Sequence, residues 1–337
     1  MFNFTRRRST LATTDRRALQ FGQRGVCCLP HPEKQHRGGE DAFFSHPMAL
    51  GVADGVGGMA KYGVDPAIFT RNIMRYCYEK ISGSPVKPIG SENSNNENEK
   101  ENTENKSVFA SFPNLPAVEL LTSALERALK DNIPGACPAV VVAMKEEKEA
   151  SIVSLGDCGV VIVRGGRLLY RSTSQQHYFN CPYQMPNDTP RKGEQSSLLL
   201  QENDVLLLAS DGVLDNVETD ELVKVLANVR AENKNSCKEA ADIIGQTASR
   251  NGHDEKFMSP FAKEAQKQGK RFRGGKLDDI TALVARVTPL DQKTYFENLS
   301  QLGGRQCPRI IEEALGIGAF GGGSEKNWFG GFFNSKL

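Results

Sequence analysis

The sequence predicts a mixed fold of the α+β class, because short apolar runs of strand length occur beside longer segments with helical periodicity. Residues 48–53 and 205–209 are apolar runs that fit buried strands. Residues 64–81 and 116–130 carry apolar side chains at the three- and four-residue spacing of an amphipathic helix. The formal net charge of the 337 residues is +1, so the charge gives no indication of a nucleic-acid partner.

Local signals place the remaining elements in chain order. Asp65 fits a helix N-cap followed by Pro66 at the first helical position, so the helix at 64–81 has a defined start. The pair Gly165-Gly166 is typical of a two-residue turn in a β-hairpin. The other predicted strands are residues 25–30, 42–44, 139–144, 151–155, 160–164, 167–171 and 280–287, and the other predicted helices are residues 219–231 and 238–249.

Three segments have compositions that do not fit a packed domain. Residues 1–21 are rich in arginine and hydroxyl side chains and poor in acids, as organelle targeting segments are, although a disordered basic tail has the same composition. Residues 83–113 are polar and of low complexity, and we interpret them as a disordered insertion within one domain. Residues 289–337 form a tail rich in Gly and Phe. A single domain is therefore expected at residues 22–288.

Acidic residues stand at the ends of several predicted strands. Asp54-Gly55 and Asp211-Gly212 each follow an apolar run, and the pairs Glu40-Asp41 and Asp278-Asp279 each precede one. A single Asp-Gly after a strand is most often a turn, because both residues favour turns. The whole set is better explained by carboxylates that converge on a hard cation, which prefers oxygen ligands.

Taken together, these motifs resemble the metal-dependent serine/threonine protein phosphatases of the PPM-type, or protein phosphatase 2C, family. The matching motifs occur in the family's order and are Gly39-Glu40-Asp41-Ala42, Ala53-Asp54-Gly55-Val56-Gly57-Gly58, Leu155-Gly156-Asp157-Cys158-Gly159, Ser210-Asp211-Gly212-Val213-Leu214-Asp215-Asn216 and Asp278-Asp279-Ile280-Thr281. A closer resemblance is to the branch of the mitochondrial matrix phosphatase of yeast and its animal and plant relatives. Its motifs here include Tyr62-Gly63-Val64-Asp65-Pro66, Gln175-Gln176-His177-Tyr178-Phe179-Asn180, Met258-Ser259-Pro260-Phe261-Ala262 and Arg273-Gly274-Gly275-Lys276.

The resemblance implies a four-layer αββα sandwich, in which helices flank two antiparallel sheets and the metals lie at one end between the sheets. It implies two divalent cations, Mn²⁺ or Mg²⁺, and a weaker third. The ligands of the first two cations would be Asp54 as the bridge, Glu40 and the Gly55 carbonyl on one ion, and Asp211 and Asp278 on the other. Asp157 and Asp215 would hold the third cation, and Asp41 and Asp279 would orient the ligands.

The activity that the resemblance implies is hydrolysis of phosphoserine and phosphothreonine by a metal-bridged hydroxide that attacks phosphorus without a covalent intermediate. Arg37 would bind the substrate phosphate, although the family's commonest spacing falls on His36. Val56 stands where many members have a histidine as the proposed general acid, and the resembled branch also has valine there. His177 lies in a predicted loop beside the active site, and we interpret it as structural rather than catalytic.

Two functions from different classes remain open. One is an active phosphatase, and the other is a catalytically inactive PPM-type domain that acts as a phosphoprotein-binding or regulatory module. All principal ligand positions are acidic, which favours the enzyme, because clustered carboxylates repel one another without metal. The expected partners are phosphorylated proteins, with no nucleic acid and no integral membrane segment, and a monomer is expected. The mitochondrial matrix is the expected location, with a plastid or the cytoplasm as alternatives.

Overall fold

The computed structural model describes residues 18–83, 115–145 and 148–290. Within these residues two five-stranded sheets lie face to face, and helices pack against their outer faces. Neighbouring strands in both sheets are antiparallel. The predicted α+β class and the four-layer αββα arrangement are therefore confirmed.

Each sheet has a strand order that differs from the chain order. The first sheet consists, in spatial order, of β1 (Leu19–Leu29), β12 (Ile280–Pro289), β11 (Val205–Ala209), β6 (Gly159–Arg164) and β7 (Arg167–Arg171). The second consists of β10 (Glu194–Leu199), β5 (Glu149–Leu155), β4 (Ala139–Met144), β3 (Ala49–Ala53) and β2 (Ala42–His46). A separate two-stranded ribbon contains β8 (Gln176–Tyr178) and β9 (Cys181–Pro182).

The continuous apolar run of β11 reflects burial on both faces of the first sheet. Leu206 and Leu208 lie in the core between the two sheets, whereas Leu207 and Ala209 lie in a second core beneath the helices. Successive side chains of a strand point to opposite faces, so a strand covered on both sides needs apolar residues at every position. This burial holds the end of β11 rigidly.

Helices α1 (Pro66–Ser82) and α2 (Ala117–Lys130) cover the second sheet, and α4 (Thr219–Leu226) and α5 (Ser236–His253) cover the first. The shorter helices α3 (Asp211–Leu214) and α6 (Pro260–Lys267) lie between β11 and β12 in the chain. As predicted, Asp65 caps α1, and its side chain accepts a hydrogen bond from the N–H of Ala67 at 3.0 Å. None of the described helices has the length and apolar character needed to cross a membrane.

Several predicted boundaries differ from the structure. The first strand begins at Leu19 rather than at residue 25, so the last residues of the segment 1–21 belong to the fold. Leu19 and Phe21 are buried, and a bulge after Phe21 interrupts the alternating pattern from which a strand would be recognised. The helix predicted at 219–231 ends at Leu226, because the chain turns there and buries Val229.

The Gly165-Gly166 hairpin is as predicted. Both glycines have positive φ, at 56° and 77°, and they join β6 to β7. Residues 1–17, the predicted insertion after Gly83 and the tail beyond Leu290 lie outside the described residues.

Candidate metal centre

The register of the second sheet brings its acidic residues to one end of the sandwich. Ala42 at the start of β2 pairs with Ala53 at the end of β3. The pair Glu40-Asp41 precedes β2 and Asp54 follows β3, so these carboxylates leave the sheet at the same edge. Antiparallel pairing alone dictates this, since the end of one strand lies opposite the start of its neighbour.

The first sheet repeats the arrangement. Ala209 at the end of β11 pairs with Ala282 near the start of β12, which places Asp211 beside Asp278-Asp279. The turn that contains Asp157 passes from β5 of the second sheet to β6 of the first. It therefore joins the acidic residues of the two sheets.

Three of these carboxylates form a compact cluster. Asp54, Asp157 and Asp211 each present an oxygen atom, and these oxygens all lie within 4.8 Å of one another. Oδ1 of Asp157 and Oδ1 of Asp211 are buried and have no hydrogen-bond partner among the described residues. Burial, followed by the charge of Asp211, raises the pKa of Asp54 and that of Asp157 well above the usual range. Buried, unpartnered carboxylate oxygens at this spacing fit a divalent cation.

Glycine permits Glu40 to lie against the loop that follows Asp54. A Cβ on Gly55 would lie 2.7 Å from the carbonyl oxygen of Glu40. A Cβ on Gly57 would lie 3.0 Å from Oε2 of Glu40. Side chains at these two positions would displace Glu40, so the glycines permit its close approach to this loop.

Both carboxylate oxygens of Glu40 contact cationic groups. Oε1 lies 2.6 Å from the guanidinium of Arg37, and Oε2 lies 2.6 Å from Nζ of Lys34. The Glu40 side chain is fully buried, whereas Arg37 and Lys34 are partly exposed. His36, which has the family's commonest spacing, is exposed. Arg37 and Lys34 are therefore the cationic side chains that this loop places at the acidic cluster.

Asp279 ties the loop before β2 to the start of β12. Its Oδ1 accepts a hydrogen bond from the N–H of His31 at 2.7 Å, and its Oδ2 accepts one from the N–H of Glu40 at 3.0 Å. Oδ2 also lies 3.0 Å from Nζ of Lys34. Burial, followed by the charge of Asp279, raises the pKa of the neighbouring Asp41 to about 8.

The ammonium group of Lys276 lies inside the acidic cluster. Its Nζ is 2.5 Å from Asp211 Oδ2, 2.8 Å from Asp215 Oδ2 and 3.4 Å from Asp278 Oδ2. Burial alone would lower the pKa of Lys276, but the charges of these carboxylates outweigh it and raise the pKa. Burial raises the pKa of Asp215 to about 6 and that of Asp278 to about 7. Asp215 is thus engaged by a lysine of the same chain.

Two residues of the site were missed by the sequence analysis, namely Lys34 and Lys276. The position of Lys276, just before the pair Asp278-Asp279, was a signal that could have found it. Lys34 is three residues before Arg37 in a short 3₁₀ helix (Pro32–Arg37), so both side chains lie on one face. Lysines near paired acids are ordinary surface features in most sequences, which is why neither is predicted as a site residue, although Lys276 belongs to one of the quoted motifs.

His177 and Val56 have structural surroundings. His177 Nε2 lies 2.8 Å from Asp188 Oδ2, and the His177 ring stacks on Tyr183 with 4.3 Å between ring centroids. Val56 donates its backbone N–H to the carbonyl of Ala136 at 3.0 Å. The contacts of His177 explain that residue without a role in chemistry.

Comparisons with known proteins agree on one family. The chain is 35% identical over 290 residues to Probable protein phosphatase 2C 80 of Arabidopsis thaliana. The match covers 82% of this chain and 61% of that protein, so the chain spans less than two thirds of the length of that relative. It is 33% identical over 270 residues to the Protein phosphatase PTC7 homolog of Danio rerio, covering 74% of this chain and 81% of that protein. No family model matches the chain.

A solved structure has the same architecture. The X-ray structure of the photosystem II phosphatase PBCP matches with a TM-score of 0.63 and 27% identity, over 81% of this chain and all of that chain. The PTC7 homolog is matched along most of its own length. The chain therefore belongs to the PPM-type, or protein phosphatase 2C, family of metal-dependent serine/threonine protein phosphatases.

Proposed function

We propose that this phosphatase hydrolyses phosphoserine and phosphothreonine in proteins with two divalent cations, Mn²⁺ or Mg²⁺, held by its acidic cluster. The observation that carries the proposal is the set of oxygens from Asp54, Asp157 and Asp211, which lie within 4.8 Å of one another. Buried carboxylates at this spacing repel one another unless a cation neutralises them. An all-oxygen ligand set suits Mg²⁺ or Mn²⁺ rather than Zn²⁺.

The residues that would hold the two cations divide into two groups around Asp54. Glu40 and the backbone carbonyl of Gly55 would complete one site, and Asp211 and Asp278 would complete the other. The close approach of Glu40 to Gly55 supports the first group. When bound, the cations would acidify the attacking water and neutralise the charge that develops on the phosphoryl group.

Asp41 and Asp279 would act by positioning other groups. Asp279 accepts the backbone N–H groups of His31 and Glu40, which supports a role in holding the loop that carries Glu40. Asp41 is buried beside Asp279, where burial and the charge of Asp279 raise its pKa. Partners of metal ligands orient them and commonly affect metal affinity by tenfold or more.

Arg37 is the proposed phosphate-binding residue. Its side chain is 29% exposed while its guanidinium contacts Glu40, so it can reach both the solvent-borne substrate and the cluster. A guanidinium donates two parallel hydrogen bonds to a phosphate, which an ammonium cannot do. We expect Arg37→Lys to raise KM for a phosphothreonine peptide by about tenfold, the loss of one charge-assisted hydrogen bond. An unchanged KM would remove Arg37 from phosphate binding.

The alternative function is an inactive domain that binds phosphoproteins. The buried carboxylates argue against an inactive domain, because in a domain that binds no metal their mutual repulsion would only destabilise the fold. Val56 offers no proton for the leaving group, so a low but metal-dependent turnover would still support the enzyme. Turnover that is absent with every metal would support the alternative.

We further propose phosphorylated proteins as the partners, with no nucleic acid, and a monomer as the active form. The basic composition of residues 1–21 and the resembled branch support a mitochondrial matrix location. A plastid and the cytoplasm are the alternative locations. The similarity to the photosystem II phosphatase PBCP supports the plastid alternative. Import of the full chain into isolated mitochondria and plastids would decide between them.

The central experiment compares the full chain with Asp54→Asn in hydrolysis of a phosphothreonine peptide, with Mn²⁺, with Mg²⁺ and with chelator. We expect metal-dependent turnover that falls by at least about a hundredfold in Asp54→Asn, because one carboxylate would serve both cations. Glu202→Gln, at an exposed position, is the matched control and should behave as the wild type. Turnover that survives in chelator would contradict the proposal.

A further inference from the structure

The Lys276 ammonium is surrounded by carboxylates in the way a bound cation would be. Its Nζ lies between Oδ2 of Asp211, Oδ2 of Asp215 and Oδ2 of Asp278, at 2.5, 2.8 and 3.4 Å. An ammonium group has three N–H donors, of which two donate to Asp211 and Asp215, and the contact with Asp278 is an ion pair. The side chain is only 17% exposed, so solvent contributes little to its surroundings.

The backbone of Lys276 is fixed by a second residue of the same region. Asn216 is buried, and its Oδ1 accepts the N–H of Lys276 at 2.9 Å while its Nδ2 donates to the Lys276 carbonyl at 2.8 Å. Nδ2 of Asn216 also donates to the carbonyl of Gly212 at 2.8 Å. These hydrogen bonds fix the backbone of Lys276 relative to α3, the helix that begins at Asp211.

Two further contacts hold Lys276, one through the neighbouring backbone and one through the side chain. A Cβ on Gly275 would lie 1.9 Å from the carbonyl of Asn251, so the segment before Lys276 lies directly on α5. The ring of Phe261 lies under the ammonium, with 5.1 Å between Nζ and the ring centroid. The ammonium is therefore held at the cluster by backbone and ring contacts as well as by charge.

We propose that the Lys276 ammonium is a built-in cation that takes the place of a third divalent ion, so that this chain binds two ions and not three. The inference rests on the proposed two-metal function. An ion coordinated by Asp215 and its neighbours would need oxygens at about 2.0–2.6 Å. Lys276 already contacts Oδ2 of Asp215, and a positive charge there repels an incoming cation. Lys276 contacts only Oδ2 of Asp211; Oδ1 of Asp211 is buried and has no hydrogen-bond partner among the described residues, so Asp211 can still bind the second ion.

Asp157 and Asp215 therefore differ in their availability to a cation. Asp157 Oδ1 is buried, has no hydrogen-bond partner in the described part of the chain, and lies in the cluster with Asp54 and Asp211. Asp215 Oδ2 is occupied by Lys276. The resemblance assigned both residues to one weak metal position, but only Asp157 remains available to a cation.

The test is the number of Mn²⁺ ions bound by the full chain. It is measured by isothermal titration calorimetry and by the electron paramagnetic resonance signal of free Mn²⁺. We expect two ions in the wild type, three in Lys276→Met and two in Lys276→Arg, which keeps the charge. Asp215→Asn in the Lys276→Met background should return the count to two. Lys263→Met removes an exposed lysine that pairs with Glu218, and should leave the count unchanged.

Each outcome separates this inference from the proposal that precedes it. Three ions in the wild type would overturn the inference, and so would an unchanged count in a folded Lys276→Met. A wild-type chain that binds no Mn²⁺ would overturn the two-metal function itself. If Lys276→Met does not fold, the wild-type count and Asp215→Asn decide. The inference then requires two ions in both proteins, and a loss of one ion in Asp215→Asn would overturn it.

Discussion

Asp279 accepts the backbone N–H of Glu40 at 3.0 Å, although the two residues are 239 positions apart in the chain. The other oxygen of Asp279 accepts the N–H of His31 at 2.7 Å. One buried carboxylate thus fixes both ends of the loop that delivers Glu40. The regular structure of this loop is a single short 3₁₀ helix, so side-chain contacts such as that of Asp279, together with those of Arg71 to the carbonyls of Arg37 and Gly39, hold its geometry.

Asp279→Asn should weaken both the fold and the metal centre. Asn keeps the shape, but one oxygen becomes an NH₂ donor that must face the N–H of either His31 or Glu40. A buried hydrogen bond to a charged acceptor contributes about 1.5–3 kcal/mol, so we expect a loss of that size in urea unfolding. The Kd for Mn²⁺ should rise by about tenfold or more. Wild-type stability and Kd in Asp279→Asn would contradict the positioning role.

Gly55 and Gly58 provide a matched pair for the close approach of Glu40. A Cβ on Gly55 would lie 2.7 Å from the Glu40 carbonyl oxygen and 2.8 Å from the Glu40 Cβ, whereas a Cβ on Gly58 would meet no atom of the described residues within 4 Å. Both glycines lie in the same loop, so their effect on the unfolded chain is the same. The close approach to Glu40 and to Pro66 distinguishes Gly55 from Gly58.

We expect Gly55→Ala to lose about 1–3 kcal/mol in the free energy of unfolding, because backbone atoms must move to accept the methyl group. It should also lower the affinity for Mn²⁺. Gly58→Ala should be neutral or stabilising by up to about 1 kcal/mol. Thermal unfolding and Mn²⁺ titration of the two variants check this, and equal effects would show that the approach of Glu40 is unimportant.

The acidic cluster could be predicted because its signals are local. Asp54 and Asp211 end apolar strands, and antiparallel pairing then brings such ends to one edge without further information. The functions of Lys276 and Asn216 could not be predicted this way. Lys276 is close to Asp278 in the sequence, but its contacts with Asn216 and Asp211 join segments 60 and 65 residues apart, and only the fold brings these together.

The strands of the fold also divide into those with a local sequence signal and those that depend on distant pairing. The interior strands were predicted, since strands buried on both faces leave continuous apolar runs. The start of β1 was not, because Gln20, Gly22 and Gln23 interrupt the apolar pattern. That strand forms through pairing with β12, in which Leu19 lies opposite Pro289. Tertiary pairing, not local propensity, decides such a strand.

Lys34 should compete with metal for Glu40. Its Nζ lies 2.6 Å from Glu40 Oε2, so a cation that uses this oxygen must displace the ammonium. We predict that Lys34→Met lowers the Kd for Mn²⁺ by about tenfold, which corresponds to about 1.4 kcal/mol. Lys61→Met, at an exposed lysine, is the control and should leave the Kd unchanged. A weaker affinity in Lys34→Met would mean that Lys34 assists metal binding instead.

His46 gives the fold an acid sensitivity that is separate from the metal centre. The residue is 2% exposed, and its Nδ1 accepts the N–H of Met48 at 3.1 Å. Its ring packs edge-on against Tyr78 at 5.9 Å. Burial, followed by the charge of Arg24, lowers the pKa of His46 from 6.5 to about 3.

The sign of the effect follows from the two pKa values. Above pH 6.5 the imidazole is neutral in both the folded and the unfolded chain, so the stability is fully present. As the pH falls towards 3, the unfolded chain takes up a proton that the folded chain cannot accept, and stability is lost. Between pH 7 and pH 5 the loss should be about 2 kcal/mol.

His46→Asn isolates this contribution, because its side-chain oxygen can accept the Met48 N–H and carries no charge at either pH. Carboxylates of the cluster with raised pKa values act in the opposite direction in metal-free protein, since they lose stability as the pH rises. The quantity to measure is therefore the difference between wild type and His46→Asn in urea unfolding at pH 7 and pH 5. We expect this difference to shift by about 2 kcal/mol in favour of the variant at pH 5. Parallel pH profiles would show that His46 takes up its proton without unfolding.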